Sequence, residues 1–251
     1  MLLHPEPTTA EKEAWQALQA FSTELVEMNL ADLIAVISIG SLPGGYYRPG
    51  ASDLDVVALF AGGPPSAELA KAITTQLELA ASTFVEKTRG ATIECLPRWE
   101  VDLMRGADGQ LPKPDLNARL NLQSSLLWGN FPLGKVEMPG PADFLWESKH
   151  FQAYWHEKNG PDAFACASEK ALVNYAIGLM RLYLAFRRNV VIYDKSQIMR
   201  VFGDNAPEVP IPHGITACVP DVLVGRRADP EALAILRQEL PAFEASIISK
   251  Q

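Results

Sequence analysis

Two aspartates two positions apart, Asp53 and Asp55, are the side chains in this sequence best suited to chemistry. They open an apolar, β-branched run, Val56 to Phe60, whose composition predicts a buried strand. Because side chains alternate between the faces of a strand, both carboxylates point the same way, while Leu54 and Val56 point into the core. Two close carboxylates on an apolar strand repel each other unless a cation neutralises them. Mg²⁺ binds one or two carboxylates together with substrate phosphates, so Asp53 and Asp55 are the predicted metal ligands.

A glycine-rich loop precedes the two aspartates and follows an apolar run over residues 33–38, which predicts another buried strand. The loop begins at Gly40-Ser41. It then carries four turn-forming residues, Gly44, Gly45, Pro49 and Gly50. Glycines let a phosphate approach the backbone N–H groups closely. Together with the acid pair, the loop predicts a site for a metal-bound nucleoside triphosphate. The competing interpretation is two solvated acids at the end of a surface strand.

A third carboxylate lies in the next apolar run, Ala91 to Leu96, where Glu94 is the only charged residue. A carboxylate in a core strand is costly, so Glu94 is a candidate for the same site. Glu100 and Asp102 are its rivals, because they alternate along the segment that follows. The competing interpretation of Glu94 is an acid at a strand edge that faces water.

These residues resemble a known signature. Gly40-Ser41, Gly44-Gly45, Arg48-Pro49 and Ser52-Asp53-Leu54-Asp55 are similar to the nucleotidyltransferase signature of the DNA polymerase β superfamily. In that signature Gly-Ser is followed, after a spacer, by an acid–hydrophobic–acid triplet. Within the superfamily, the sequence most resembles the aminoglycoside adenylyltransferases that modify streptomycin and spectinomycin. The match is specific to the superfamily and much less specific to the substrate.

The resemblance implies an Mg²⁺-dependent enzyme that moves AMP from ATP to a hydroxyl group of a small acceptor and releases pyrophosphate. It implies that Gly40 and Ser41 bind the nucleotide. It also implies that Asp53 and Asp55, which hold the metal, act as catalytic residues together with Glu94, the general base for the acceptor hydroxyl.

The second half of the chain extends the resemblance. Asn174, Arg181 and Asp194-Lys195 are similar to the helical domain of these adenylyltransferases. There, an arginine near the end of a long helix and a lysine at the start of the next helix reach the triphosphate. The resemblance therefore implies that Arg181 and Lys195 bind the nucleotide, and ordinary surface cations are the alternative. Arg187-Arg188-Asn189 departs from the pattern, because a glycine turn is expected there.

The acceptor classes are ranked by the resemblance and, to a smaller extent, by charge. A formal net charge of −8 argues against a nucleic acid partner, because an acidic chain gains no affinity from counterion release. The same charge mildly favours a cationic small molecule. An aminoglycoside is the first acceptor class because the glycine loop and the helical second domain resemble those of the aminoglycoside adenylyltransferases. Glu169 is a weak candidate to pair with an ammonium group of the acceptor, although an acid there also favours a helix N-terminus. A protein side chain, as in AMPylating enzymes, is second, and an RNA 3′ end is third. A non-catalytic nucleotide sensor is the alternative from another class.

The composition of the 251 residues, 48% hydrophobic and 21% charged, is ordinary for a globular protein. No apolar run reaches the length of a membrane span, and residues 1–7 have no basic segment. We therefore expect no membrane partner, no secretory signal, and a cytoplasmic monomer or small homo-oligomer. The cysteines lack zinc spacing and are expected to be reduced and mostly buried. His150 and His156 lie six residues apart, on different faces of a helix, which disfavours metal binding.

The predicted elements follow the order strand, loop, strand, helix, which suits an α/β or α+β nucleotide site. The resemblance implies an α+β, nucleotidyltransferase-like fold, in which a mixed sheet is flanked by helices and a C-terminal all-helical domain follows. Thr8 and Glu11 predict a capping box for the first helix, and Ser66 is the predicted cap of the next one.

Two domains are predicted. Residues 134–141 have the composition of a linker, which places the boundary between a catalytic domain at 1–137 and a helical domain at 138–251. The helical domain is expected to complete the nucleotide and acceptor site. Within it, residues 203–229 are predicted to be rich in loops.

Overall fold

The computed structural model describes residues 7–88 and 92–249. Ala91, where the predicted third strand begins, and the first six residues of the N-terminal segment lie outside these ranges. The chain divides into two compact units, of which the first ends at Met138 and the second begins at Pro139. None of the described helices is both long and apolar enough to cross a membrane.

The first unit is built on a four-stranded sheet with the strand order β3-β2-β1-β4. Its strands are β1 (Leu33–Ile39), β2 (Leu54–Phe60), β3 (Ile93–Trp99) and β4 (Ser124–Gly129). Strand β1 pairs antiparallel with β2 and β4, whereas β2 and β3 are parallel. Parallel neighbours need a crossover connection, which a helix provides here. This mixed sheet, flanked by helices and followed by a helical unit, confirms the predicted α+β fold.

Among the described residues, the α-helices of the first unit are α1 (Thr9–Glu27), α2 (Ala67–Thr88) and α3 (Pro114–Leu122). The predicted capping box begins α1. The Thr8 backbone N–H donates to the Glu11 carboxylate at 2.7 Å, and the Glu11 N–H donates to the Thr8 hydroxyl at 3.2 Å. The predicted cap of α2 is also confirmed, because the Ser66 hydroxyl accepts the Leu69 N–H at 3.2 Å.

Each face of the sheet has its own apolar core. Helices α1 and α2 cover one face, where Leu54 and Val56 are buried as predicted. Helix α3 and a short 3₁₀ helix, Glu100–Leu103, pack on the other face, against Val57. Because alternate residues face opposite sides, Asp55 lies on the same side of the sheet as Val57.

The second unit consists of helices: α4 (Pro141–Asn159), α5 (Ala163–Cys166), α6 (Glu169–Tyr183), α7 (Ile198–Asn205), α8 (His213–Leu223) and α9 (Pro230–Ile248). Helix α6 continues into a π-helical turn, Leu184–Arg188.

The prediction that residues 203–229 are rich in loops is wrong, because α8 lies within this range. Ile215 and Cys218 are fully buried on its inner face. The helix is hidden in the sequence by Pro212 at its N-cap and by Pro220 inside it, since proline in a sequence usually marks a break.

All three cysteines are free thiols. Cys95 and Cys218 are buried, in line with the expectation for most of them, whereas Cys166 is exposed. Burial raises the pKa of the Cys95 thiol to about 12, so this side chain behaves as an apolar core group at neutral pH.

Candidate active site

The two aspartates lie at the start of β2. Asp53 precedes the strand by one residue, Asp55 is its second residue, and both are half-buried. Strand β1 places Ile39 opposite Asp55 in the antiparallel register. The glycine-rich loop begins at the next residue, Gly40. The sheet therefore brings the start of the loop beside the second aspartate.

Position 40 requires glycine because the Asp55 carboxylate lies against its backbone. Its φ of +93° lies in a region that residues with side chains rarely adopt. A Cβ built on Gly40 would lie 2.5 Å from the Asp55 Oδ2 atom, too close for atoms that are not bonded. The missing side chain thus leaves room for the Asp55 carboxylate directly against the loop backbone.

The loop folds back on itself through main-chain hydrogen bonds. The Gly44 N–H donates to the Gly40 carbonyl at 3.0 Å, and the Tyr46 N–H donates to the Ser41 carbonyl at 3.0 Å. Ser41 itself is half-buried. The N–H groups of Gly44 and Tyr46 are therefore used inside the turn, so an anion at this loop would be bound by the Ser41 hydroxyl and by other main-chain N–H groups.

Ser52 and Tyr47 shape the approach to Asp53. The Ser52 hydroxyl accepts the Arg48 N–H at 3.1 Å, and the Ser52 N–H donates back to the Arg48 carbonyl at 2.8 Å. Burial raises the pKa of the Tyr47 phenol above its usual value, and the negative charge of Asp53 raises it further. Tyr47 therefore lies near enough to Asp53 for its ionisation to sense the carboxylate.

Glu94 lies opposite Asp55 in the parallel pairing of β2 and β3. Paired residues of neighbouring strands point to the same face and lie about 4.8 Å apart. The sequence argument that Glu94 is a costly acid in a core strand is wrong, because Glu94 is exposed and the apolar neighbours Ile93 and Cys95 face the core. The structure nevertheless brings Glu94 to Asp55, and its role as general base stays a prediction.

The rival acids are engaged in local structure. Glu100 and Asp102 do not alternate along a strand but belong to the 3₁₀ helix that ends β3. The Glu100 carboxylate accepts the Gly62 N–H at 2.9 Å. The Asp102 carboxylate accepts the Trp99 N–H at 3.0 Å. Both acids close turns, which leaves Glu94 as the acid that faces Asp55 across the strand pair.

Gln123 is a residue that the sequence analysis missed. It is 3% exposed, between α3 and β4, and its backbone carbonyl accepts the Gly40 N–H at 3.1 Å. Its side-chain oxygen accepts the Tyr46 hydroxyl, and its Nε2 atom has no hydrogen-bond partner among the described residues. A Cβ on Gly44 would collide with Tyr46 and lie 3.0 Å from the Gln123 oxygen. Gln123 thus fixes both ends of the glycine turn.

The donor chemistry at β2 suits magnesium. Within residues 7–88 and 92–249, no three His, Cys, Asp or Glu side chains converge as a metal cluster. The carboxylates of Asp53 and Asp55, with space left by Gly40, are instead the donor set that Mg²⁺ takes when phosphates and water complete its shell. His150 and His156 form hydrogen bonds within the protein. His150 donates to the Trp146 carbonyl and His156 donates to the Glu244 carboxylate, each at 2.9 Å.

In the second unit, the predicted nucleotide ligands lie on and after α6. The Lys195 ammonium donates to the Asn174 amide oxygen at 3.0 Å, and the Arg181 guanidinium lies over the Tyr193 ring, 4.9 Å from its centroid. Asn189 ends the π-helical turn in the left-handed conformation, with φ of 54°. Asparagine adopts this conformation more readily than most residues, so Asn189 does what the expected glycine would do.

Glu169 is the first residue of α6, directly after the N-cap Ser168, whose hydroxyl accepts the Ala171 N–H at 3.2 Å. An acid at this position favours the positive end of the helix dipole. Its role toward an acceptor, like the nucleotide-binding roles of Arg181 and Lys195, stays a prediction.

The sheet order and the helical unit define a nucleotidyltransferase-like fold. The solved structure of spectinomycin adenyltransferase AAD(9) from Enterococcus faecialis, with ATP and spectinomycin, is similar to this chain with a TM-score of 0.55 and 13% identity. The similarity covers 93% of this chain and 99% of that one, and at this identity it shows the fold alone.

A toxin–antitoxin structure with AMP-PNP is similar over 56% of this chain and 89% of that one, with 17% identity; its TM-score of 0.30 is too low to bear on the fold. No family model and no curated protein matches the chain.

Proposed function

We propose that this protein is a nucleotidyltransferase that moves AMP from ATP to a hydroxyl group of a small cationic acceptor. One observation supports the proposal above all others. Asp55 lies against the Gly40 backbone on one side and opposite Glu94 on the other. A metal-binding carboxylate, a phosphate-binding turn and a proton acceptor are the three parts that such a transfer needs.

The glycine turn would bind the phosphates of the nucleotide through the Ser41 hydroxyl and through main-chain N–H groups other than those of Gly40, Gly44, Gly45 and Tyr46, which donate to main-chain carbonyls. Asp53 and Asp55 would hold Mg²⁺, which neutralises the triphosphate when it is bound. Gln123, by fixing Gly40 and Tyr46, keeps this turn in shape.

Glu94 would accept the proton of the acceptor hydroxyl as its oxygen attacks the α-phosphorus. The bond from the α-phosphorus to the bridging oxygen breaks on the opposite side, and pyrophosphate leaves with that oxygen. Glu94 is exposed, so an acceptor can reach it from solvent. A general base in this position accelerates such a step by roughly 10²–10⁴-fold.

Arg181 and Lys195 are proposed to contribute positive charge to the triphosphate, on the strength of the sequence resemblance. Their contacts within the helical unit keep both side chains near the segment that follows α6. Charge-assisted bonds from two cations would strengthen nucleotide binding more than they would speed the chemical step. Substitution of either residue should therefore raise the KM for ATP more than it lowers kcat.

An aminoglycoside is the acceptor class that we propose first. The acidic net charge favours a cation, and the structurally similar AAD(9) was solved with spectinomycin. Glu169 is a proposed partner for an ammonium group of this acceptor. Protein side chains form the second class.

The test uses ATP labelled at the α-phosphate, Mg²⁺ and a panel of aminoglycosides, with the wild-type chain, Asp55→Asn and the control Asp32→Asn. Asp32 lies at the opposite end of the same sheet, before β1. Labelled drug formed by the wild type and by Asp32→Asn, but not by Asp55→Asn, would support the proposal. Labelled protein would indicate protein AMPylation, and bound ATP without turnover on any acceptor would indicate a nucleotide sensor. Failure to bind ATP at all would overturn the proposal.

A further inference from the structure

Gln123 carries a buried hydrogen-bond donor without a partner. The residue is 3% exposed, and its Nε2 group donates to no atom of the described residues. A donor buried in this way destabilises a protein, because its bonds to water are lost and not replaced. Most buried polar groups in proteins are paired, so an unpaired donor indicates that the group has a role beyond stability.

The amide of Gln123 lies against the glycine turn. A Cβ built on Gly44 would lie 3.0 Å from the Gln123 Oε1 atom and 2.9 Å from the Gly40 carbonyl oxygen. The Gln123 carbonyl accepts the Gly40 N–H at 3.1 Å, and Gly40 also lies against the Asp55 carboxylate. The unpaired donor is therefore next to the turn on which the triphosphate is proposed to bind.

The glycine turn needs side-chain donors to bind an anion. The main-chain N–H groups of Gly40, Gly44, Gly45 and Tyr46 all donate to main-chain carbonyls. Hydrogen bonds to a charged phosphate oxygen are about twice as strong as those between neutral groups, so each further donor matters. The Ser41 hydroxyl is one side-chain donor at the turn, and the Gln123 amide is a second.

Tyr46 covers the Gln123 amide. Its hydroxyl donates to the Gln123 Oε1 atom, and its ring lies where a Cβ on Gly44 would be. The Nε2 atom has almost no surface open to solvent, so a phosphate reaches it only if a neighbouring group moves. Gly45 allows Tyr46 to move, because it has a φ of +77° and a Cβ added to it would meet nothing within 4 Å.

We propose that Gln123 is a ligand of the nucleotide phosphates and that Tyr46 covers it until the nucleotide binds. On ATP binding, the Tyr46 hydroxyl leaves the Gln123 Oε1 atom and passes to water. The Gln123 Nε2 group then donates to an oxygen of the β- or γ-phosphate. This inference rests on the proposed nucleotidyl transfer, since it requires the triphosphate to lie at the glycine turn.

Calorimetric titration of ATP with Mg²⁺ into the full-length wild type, Tyr46→Phe, Gln123→Met and the double variant tests the inference. Tyr46→Phe removes the covering bond and should bind ATP about 2–10-fold more tightly, the factor that one neutral hydrogen bond contributes. Gln123→Met removes the donor at nearly the same side-chain length and should bind ATP about tenfold more weakly. Tyr46→Phe should have no effect in the Gln123→Met background, because the covering bond is already lost.

A purely structural role of the Tyr46–Gln123 bond predicts the opposite sign for Tyr46→Phe. If this bond held the turn in its binding shape, its loss would weaken ATP binding. Gln19→Met is the matched control and should leave ATP binding unchanged. Gln19 is an exposed glutamine of α1 whose side chain also donates to a main-chain carbonyl, that of Leu127, at 3.3 Å. Urea unfolding shows whether each variant is folded.

The Gln123 side-chain amide also gives a direct NMR signal. Its resonances in a ¹⁵N-labelled protein are identified by their loss in Gln123→Met. They should shift when ATP binds to the wild type with Mg²⁺. AMP, which lacks the β- and γ-phosphates, should leave them in place.

The outcomes separate this inference from the proposed transfer. Failure of the wild type to bind ATP would overturn both. If the wild type binds ATP, three results would overturn the role of Gln123 alone: weaker or unchanged binding by Tyr46→Phe, unchanged binding by Gln123→Met, or amide resonances that do not shift with ATP. Tighter binding by Tyr46→Phe together with weaker binding by Gln123→Met would support it.

Discussion

Replacement of Gly40 by alanine tests the link between the glycine turn and the acid pair. The new Cβ would lie 2.5 Å from the Asp55 Oδ2 atom, whereas non-bonded heavy atoms keep roughly 3.5 Å apart. The carboxylate of Asp55 must therefore move by about 1 Å. The backbone is strained as well, because Gly40 has a φ of +93°.

The two effects can be separated by magnitude. Left-handed backbone strain on alanine costs about 1–2 kcal/mol of folding stability. A shift of a catalytic group by about 1 Å costs on the order of 100-fold in rate. Gly50→Ala is the matched control, because Gly50 has a φ of +76° and a Cβ added to it would meet nothing within 4 Å. This control should show the effect of backbone strain alone.

The assay measures pyrophosphate release from ATP with Mg²⁺ and the aminoglycoside of the panel that the wild type modifies fastest. Urea unfolding measures the stability of each variant. Gly40→Ala and Gly50→Ala should lose similar stability, and Gly40→Ala should lose about 100-fold more activity. Equal activity in the two variants would refute the argument that Gly40 leaves room for a functional Asp55 carboxylate.

Three further predictions concern other residues. Glu94→Gln should lower turnover by roughly 10²–10⁴-fold. Its stability should change little because Glu94 is exposed. The control Glu100→Gln should retain turnover, and the reverse pattern in the same assay would assign the base to Glu100. Asn117→Ala should lower the free energy of unfolding in urea by about 1–3 kcal/mol, because the buried amide donates to two backbone carbonyls, and a loss below about 0.5 kcal/mol would contradict this. Because burial raises the pKa of Cys95 from 9.0 to about 12, its contribution to stability is complete below pH 9 and is lost as the pH rises toward 12. The unfolding free energy should therefore fall by up to about 1.4 kcal/mol per pH unit more steeply in the wild type than in Cys95→Ala, and identical slopes would contradict this.

Local sequence patterns correctly predicted the features that depend on neighbouring residues in the chain. The alternation around Leu54 placed Asp55 on a strand, with Asp53 directly before it and the apolar neighbours Leu54 and Val56 in the core. Thr8 and Glu11 predicted the start of α1. Asn189 shows the limit of a residue-type rule. A glycine turn was expected, and asparagine takes the same left-handed conformation.

The features that the sequence did not reveal depend on contacts between residues that are far apart in the chain. That Glu94 lies opposite Asp55 depends on the pairing of β3 with β2, which joins residues far apart in the sequence. Gln123 forms hydrogen bonds with Gly40 and Tyr46, which are far from it in the sequence. A single glutamine between a helix and a strand does not reveal these contacts. Helix α8 was missed because Pro220 within it looks like a break.

The central claim is that Asp53 and Asp55 form the magnesium–nucleotide site beside the Gly40 turn. Calorimetric titration of ATP into the wild type and into the Asp53→Asn/Asp55→Asn double variant, with and without Mg²⁺, tests it most directly. We predict that Mg²⁺ strengthens ATP binding to the wild type and that the double variant loses this strengthening. ATP binding that is equally tight in the double variant, with the same response to Mg²⁺, would contradict the claim.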